Sequence, residues 1–246
     1  MKTWKWLAMT FMATTLATSF TACSDDDEPS NENPVLGTTG KRLVQELENG
    51  DPDNSFTYYY GTDGWLIRAI SHNDPSDNSS QSITYEKRDG YTYATTTWND
   101  GDKAECMFDN LMRIAGDATC SYDEEGHLVR YGDVTFEWEN GNISKVHDHD
   151  GTTTYTYYTD LENKFPVYPD PVTEEVDEYI MLLTAHPQLF GVPCKNLVKS
   201  EVNPYYATCN YTYELDSDGY VLSVTIEIVD GEDKGEKGVY FSYKWE

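Results

Sequence analysis

Along most of the chain, apolar and polar side chains alternate one by one. From Val221 to Val229, Leu222, Val224, Ile226 and Ile228 share one side, and Ser223, Thr225 and Glu227 share the other. Val239, Phe241, Tyr243 and Trp245 oppose Tyr240, Ser242 and Lys244, while Val134, Phe136 and Trp138 oppose Thr135 and Glu137. A period of two belongs to antiparallel sheet with one dry and one wet face. A loose unit punctuates these strands: an aromatic strand, a polar turn with Gly, then apolar residues three or four apart. It runs Tyr58-Tyr59-Tyr60-Gly61-Thr62-Asp63-Gly64-Trp65-Leu66 with Ile70, then Tyr122 to Leu128, Trp138 to Ile143 with Val146, and Tyr213 to Val221. Gly supplies the positive φ of tight hairpin turns, and the Asn or Asp beside it bonds its own backbone. Each unit therefore predicts a β-hairpin, and the uneven spacing of the copies argues against a solenoid.

One segment changes period. Asp170-Pro171-Val172-Thr173-Glu174-Glu175 offers an N-cap, an early Pro and early acids. Val176, Tyr179, Ile180 and Leu183 then recur at helical spacing until His186-Pro187. This pattern predicts one helix near 173–186, packed on or plugging the sheet.

The hairpin units, the late helix and Leu189-Phe190-Gly191-Val192-Pro193-Cys194-Lys195-Asn196-Leu197 resemble a family of lipoproteins that carry a domain of unknown function with a porin-like fold. The units also resemble, more weakly, the tyrosine–aspartate repeats of Rhs-type proteins. The first resemblance spans about residues 40–246. It implies an all-β fold, an antiparallel hairpin meander closing into a porin-like barrel, and it brings no catalytic residues. A membrane-spanning barrel needs an uncharged lipid-facing side. Here the wet face carries Glu137, Glu227 and Lys244, so a water-soluble barrel is expected rather than a true pore.

The amino terminus supplies an address. Residues 1–22 hold Lys2 and Lys5, no acid, and a short apolar run from Trp6 to Leu16, the pattern of a secretory signal. Phe20-Thr21-Ala22-Cys23 resembles the lipobox of bacterial lipoproteins, with Phe where Leu is usual, which implies a diacylglycerol on Cys23. Ser24, Asp25, Asp26, Asp27 and Glu28 resemble the acidic export signal of surface lipoproteins from gut-type Gram-negative anaerobes. Residues 1–22 are thus expected as a signal peptide, 23–39 as a disordered acidic tether, and 40–246 as a single β-barrel domain. The expected location is the outer membrane, lipid-anchored and facing outward, with the periplasmic side as the alternative.

Charge then narrows the partners. Loss of Lys2 and Lys5 would take the net charge from −27 to −29, which excludes nucleic acid as a partner, since phosphate binding needs clustered Lys and Arg. Cys106, Cys120, Cys194 and Cys209 permit two disulfides, Cys106–Cys120 and Cys194–Cys209 being the local pairs, or four free thiols. His147-Asp148-His149-Asp150-Gly151 looks metal-like but reads as an Asp-Gly turn, so no metal site is assigned. It shares an Asp-x-Asp-Gly core with Asp216-Ser217-Asp218-Gly219, which leaves weak calcium binding open. No nucleophile elbow, His-Glu-x-x-His or phosphate loop is present, so no catalytic residue or cofactor is expected. Tyr59, Tyr158 and Tyr240 fall opposite the apolar stripes of their strands and are candidates to stack on a sugar ring. The expected function is non-enzymatic ligand binding, with glycan as the candidate ligand; the alternative is a structural or surface-protein interaction module.

Overall fold

The structure is a computed structural model that describes residues 40–72, 80–115, 120–174, 180–205, 207–231 and 233–246. In chain order its first strands are β1 (Leu43–Glu48), β2 (Ser55–Tyr60), β3 (Leu66–Ser71), β4 (Ser80–Arg88), β5 (Tyr91–Trp98) and β6 (Lys103–Phe108). Two short strands, β7 (Ile114–Ala115) and β8 (Ser121–Tyr122), precede β9 (Leu128–Tyr131), β10 (Val134–Glu139), β11 (Asn142–His147) and β12 (Thr152–Glu162). After the helical segment come β13 (Asn196–Val202), β14 (Ala207–Leu215), β15 (Val221–Gly231) and β16 (Lys237–Trp245). Among the described residues these sixteen strands form one sheet in which every neighbouring pair is antiparallel.

Strand order follows the chain except at one point: β1 pairs with β16, so the first and last strands lie side by side. The two ends of the sheet are then β7 and β8, which are consecutive in sequence. Among the described residues the ladder does not close between them. Instead the Tyr122 hydroxyl on β8 donates to the Ile114 carbonyl on β7 at 3.2 Å. Buried apolar residues from β1 to β15 and β16 and from the helices form one core cluster, so the sheet wraps around a single interior.

The hairpin units have a finer grammar than simple alternation. In each, the residue after Gly-x (Leu66, Leu128, Ile143 or Val221) is buried, and the ladder slips there, leaving the next residue as a β-bulge. The slip puts the third residue on, rather than the second, back on the core side. Leu66 with Ala69, Ile143 with Val146, and Val221 with Val224 are all buried. This corrects the expected alternation at β15: Val221, not Leu222, shares the core face with Val224, because Leu222 occupies the bulge.

A bulge removes a ladder partner, and aromatic side chains replace it. Tyr85 Oη donates to the Leu66 carbonyl (2.8 Å), Trp138 Nε1 to Leu128 (2.8 Å), Tyr157 Oη to Ile143 (2.7 Å) and Trp245 Nε1 to Val221 (2.7 Å). The same cap recurs from Tyr60 to Leu43 (2.6 Å) and from Tyr213 to Val198 (2.7 Å), both at register shifts. A buried carbonyl left unpaired would cost about 1–3 kcal/mol, which explains why tyrosine is so abundant on the core face. Its ring fills volume while its hydroxyl completes the backbone.

The described residues of the expected helix are helical at α1 (Pro171–Glu174) and α2 (Ile180–Ala185). Val176 and Tyr179 lie outside the described residues. α2 ends at Ala185, before His186-Pro187 as expected, and a separate 3₁₀ turn follows over Pro187–Phe190. His186 sits at the junction between them. Its ring is 2 % exposed, packs against Tyr60 and Trp65, and its Nε2 accepts the Leu66 N–H at 2.9 Å. Burial holds this imidazole down to about 3, so it stays a neutral acceptor.

The outer face is polar. Glu137 pairs across the strands with Lys145 at 2.8 Å, Glu227 with Lys237 at 2.7 Å, and Arg88 with Glu105 at 2.5 Å, all exposed. Among the described residues Cys106 and Cys194 are buried, Cys120 and Cys209 are half-buried, and no disulfide joins any two of them, so neither of the two permitted bridges is formed.

Candidate functional site

Between β11 and β12 the sheet parts. The two strands pair only through Lys145, Val146 and His147 with Thr154, Thr153 and Thr152. Beyond that, Asn142, Ile143 and Ser144 face a gap instead of a strand. Side chains take over the ladder here as well. The Ile143 N–H points to Cys194 Sγ at 3.5 Å, and its carbonyl accepts from Tyr157 Oη. On the far side, β12 loses register with β13 between Tyr157 and Glu162.

The gap is a cleft of about 440 Å³, lined by Glu139, Asn140, Asn142, Ser144, Tyr155, Tyr157, Tyr158, Thr159, Lys195 and Asn196. Three chain segments meet at its floor. The Asn140-Gly141 turn, with φ of 55° and 78°, is the paired positive-φ turn that suits a two-residue hairpin. The Gly141 carbonyl accepts the Lys195 N–H at 2.9 Å, and the Lys195 carbonyl accepts the Asn163 N–H at 2.9 Å. An asparagine strut locks this junction: the Asn196 N–H reaches Asn142 Oδ1 at 2.9 Å, Asn142 Nδ2 reaches Asn196 Oδ1 at 3.2 Å, and Asn196 Nδ2 reaches the Leu161 carbonyl at 3.2 Å. Glu139, Asn140, Thr159 and Lys195 remain exposed at the rim. Burial first, then the charge of Asp170, pushes the Cys194 thiol up, so the sulfur beside the cleft stays protonated. Burial likewise pushes the Tyr157 phenol up and keeps its hydroxyl a donor.

Of the three tyrosines singled out by sequence, Tyr158 lines this cleft. It does not lie opposite the apolar stripe. β12 leaves the ladder between Tyr157 and Glu162, where it carries more residues than β13, and there Tyr158 packs its ring edge-on to Tyr213 while its hydroxyl donates to the Tyr211 carbonyl at 2.8 Å. Tyr59 is 45 % exposed beside the Arg68 guanidinium, and Tyr240 is 39 % exposed and stacked on Tyr168. The three sit on β2, β12 and β16, no two of which are adjacent, and are not brought together. Cys23 and Ser24, Asp25, Asp26, Asp27 and Glu28 lie outside the described residues. Sequence reading missed Glu139, Asn140, Asn142, Lys195 and Asn196. Asn140-Gly141-Asn142 was legible only as a turn, and Lys195-Asn196 only as part of a family-like stretch.

The metal-like stretches resolve into turn chemistry. Asp148 Oδ1 accepts the N–H groups of Asp150 and Gly151, both at 2.7 Å, while His147 bridges Thr152 and Glu137 and His149 points to solvent. Asp216 Oδ1 accepts the N–H groups of Asp218 and Tyr220, and Lys41 Nζ lies 2.6 Å from Asp216 and 2.7 Å from Asp218. The Lys41 ammonium thus pairs with both carboxylates of this turn. Its hydrogen bond holds the Asp216 carboxyl down to about 2. Asp123, Glu125 and His127 present ligand atoms within 4.8 Å of one another in the β8–β9 turn. There Asp123 already braces the turn, accepting from the backbone N–H of His127 and meeting its ring Nδ1 at 2.9 Å, with that ring stacked on Trp138.

No protein-family model matches the chain, and no curated protein matches its sequence. Among solved structures, the crystal structure of a porin-like protein from Bacteroides uniformis is similar to it, with a TM-score of 0.52 at 16% identity, over 87% of this chain and 100% of that one. At that identity the likeness is one of fold. The chain therefore has the fold of that porin-like protein, an all-β antiparallel meander wrapped around a core with a helical segment.

Proposed function

We propose that the chain is a lipid-anchored protein of the outer membrane, facing outward, whose β domain binds a glycan in the cleft between β11 and β12 without chemistry. The observation that carries this reading is the lining. Amides from Asn140, Asn142 and Asn196, hydroxyls from Ser144 and Thr159, a carboxylate from Glu139 and an ammonium from Lys195 surround three tyrosine rings. Sugars offer hydroxyls that both donate and accept, along with C–H faces that pack on aromatic rings, so mixed donors and acceptors beside tyrosines suit them. About 440 Å³ falls in the range of small-ligand pockets.

The anchor at Cys23 and the acidic run Ser24 to Glu28 support the address. The ion pairs spread over the outer face argue against an integral pore, because outward charge on a spanning strand costs about 2–4 kcal/mol per Lys or Arg at the midplane.

Titration of the protein with a panel of oligosaccharides is the test of binding. At least one should bind, and Glu139→Gln and Lys195→Ala should each weaken it about tenfold, roughly 1.4 kcal/mol. Retention of no glycan would overturn the reading in favour of a surface-protein partner. For location, Cys23→Ala should move the protein from the membrane to the soluble fraction, whereas a spanning barrel would stay.

A further inference from the structure

At the bulges of this sheet, the core position three residues on is apolar in the hairpin units: Ala69 after Leu66, Val146 after Ile143, Val224 after Val221. Leu43 on β1 has the same bulge and the same aromatic cap, yet its third residue is Glu46. A carboxyl at that place is costly unless something compensates for its lost hydration. Glu46 stands opposite Phe56 on β2 and Tyr243 on β16, and Glu48 opposite Phe241, so this wall of the interior pairs carboxylates with aromatic rings.

The hydrogen bonding around Glu46 is incomplete. Tyr58 Oη reaches Glu46 Oε2 at only 3.4 Å, a long contact. Tyr243, 3 % exposed, has a hydroxyl with no hydrogen-bond partner. Glu46 is itself only half-buried, so solvent reaches it. An orphan buried hydroxyl and an under-bonded, reachable carboxyl thus share one wall with Phe56, Tyr58 and Phe241.

We propose that this stretch of the interior wall, centred on Glu46, binds a small organic ammonium group. One carboxylate and two phenol oxygens are too few for calcium, which takes about six to eight oxygens. The same oxygens match the three N–H donors of an alkylammonium, and the aromatic faces attract its charge. The site is separate from the β11–β12 cleft, and its test is independent of any glycan.

Binding requires the ionised carboxyl, and burial raises Glu46 to about 7, opposed by the Tyr58 hydrogen bond and assisted by Glu48. The other groups facing it are Tyr58 and Tyr60 on β2 and Tyr243 on β16, with Tyr213 and Tyr168 behind Tyr243 and the Thr184 hydroxyl on α2 bonded to Tyr58. Burial raises the phenols of Tyr58, Tyr60 and Tyr243 above their ordinary value, so Glu46 is the group that changes charge near neutrality.

Calorimetric titration of the full-length protein with methylammonium chloride, against sodium chloride as control, tests the site. Saturable methylammonium binding is expected at pH 8, weakening about tenfold per pH unit once Glu46 is protonated and abolished in Glu46→Gln. Tyr243→Phe, which removes only the orphan hydroxyl, should weaken binding several-fold while leaving the ligand-free Tm unchanged or higher. No saturable binding at pH 8, undiminished binding by Glu46→Gln, or a Tyr243→Phe variant that lowers the ligand-free Tm without changing binding would each overturn the proposal.

Discussion

Tyr85, Tyr157 and Trp245 show what single residues do in this molecule: each closes a backbone gap left by a bulge with one hydrogen bond. Tyr85→Phe keeps the ring against Trp65 and orphans the Leu66 carbonyl. It should cost about 1–3 kcal/mol in urea unfolding, whereas Tyr91→Phe, at an exposed ring, should cost almost nothing. The clue to these caps is present in the sequence as apolar residues three apart after Gly-x, but only the bulge explains why three rather than two. Two titratable groups shifted by desolvation also act at this scale, in opposite directions. Glu46 is raised from 4.5 to about 7, so it withdraws stability as pH climbs from 4.5 to 7. His186 is lowered from 6.5 to about 3, so it withdraws stability as pH falls from 6.5 toward 3. Between pH 4.5 and 6.5 the two slopes oppose each other. Glu46→Gln should unmask the histidine, making stability fall by about 1.4 kcal/mol more per pH unit of acidification than in the parent. Urea midpoints across that window would show it, and parallel curves would contradict it.

Elements are positioned by how turns dock. The 3₁₀ turn after α2 ends at Gly191, with φ of 95°, where an added Cβ would meet the Gly126 carbonyl and the Tyr122 ring. The next N–H, from Val192, donates to that same carbonyl at 3.0 Å. This contact fastens the segment before β13 to the β8–β9 turn. Gly191→Ala must displace backbone, and thermal unfolding should show a loss well above that of Gly90→Ala, where φ is 82° but space is open and only about 1 kcal/mol of conformational strain applies. Equal losses would contradict this docking. The hairpins were readable from turn chemistry and alternation, and so was a helical stretch before residue 186. The 3₁₀ turn over Pro187–Phe190 was not, because His186 before it is held by Leu66, 120 residues away, and no local pattern encodes that.

At the scale of the whole molecule, the chain begins and ends in the same place. β16 pairs with both β15 and β1, so deletion of residues 237–246 removes two ladders at once and should abolish cooperative unfolding, as read by calorimetry. A sequence of hairpins implies a meander but not where it begins to wrap, since the β1–β16 pairing joins residues about 200 positions apart. The cleft was illegible for the same reason. It exists because two strands diverge and three distant segments meet at Lys195, and its one sequence-readable member, Tyr158, lies where β12 has left its ladder with β13. Hydrogen–deuterium exchange of the protein with and without a bound oligosaccharide tests the central claim most directly. Slowed exchange confined to residues 139–144, 155–159 and 195–196 is the predicted result, and protection elsewhere with that cleft unchanged would contradict it.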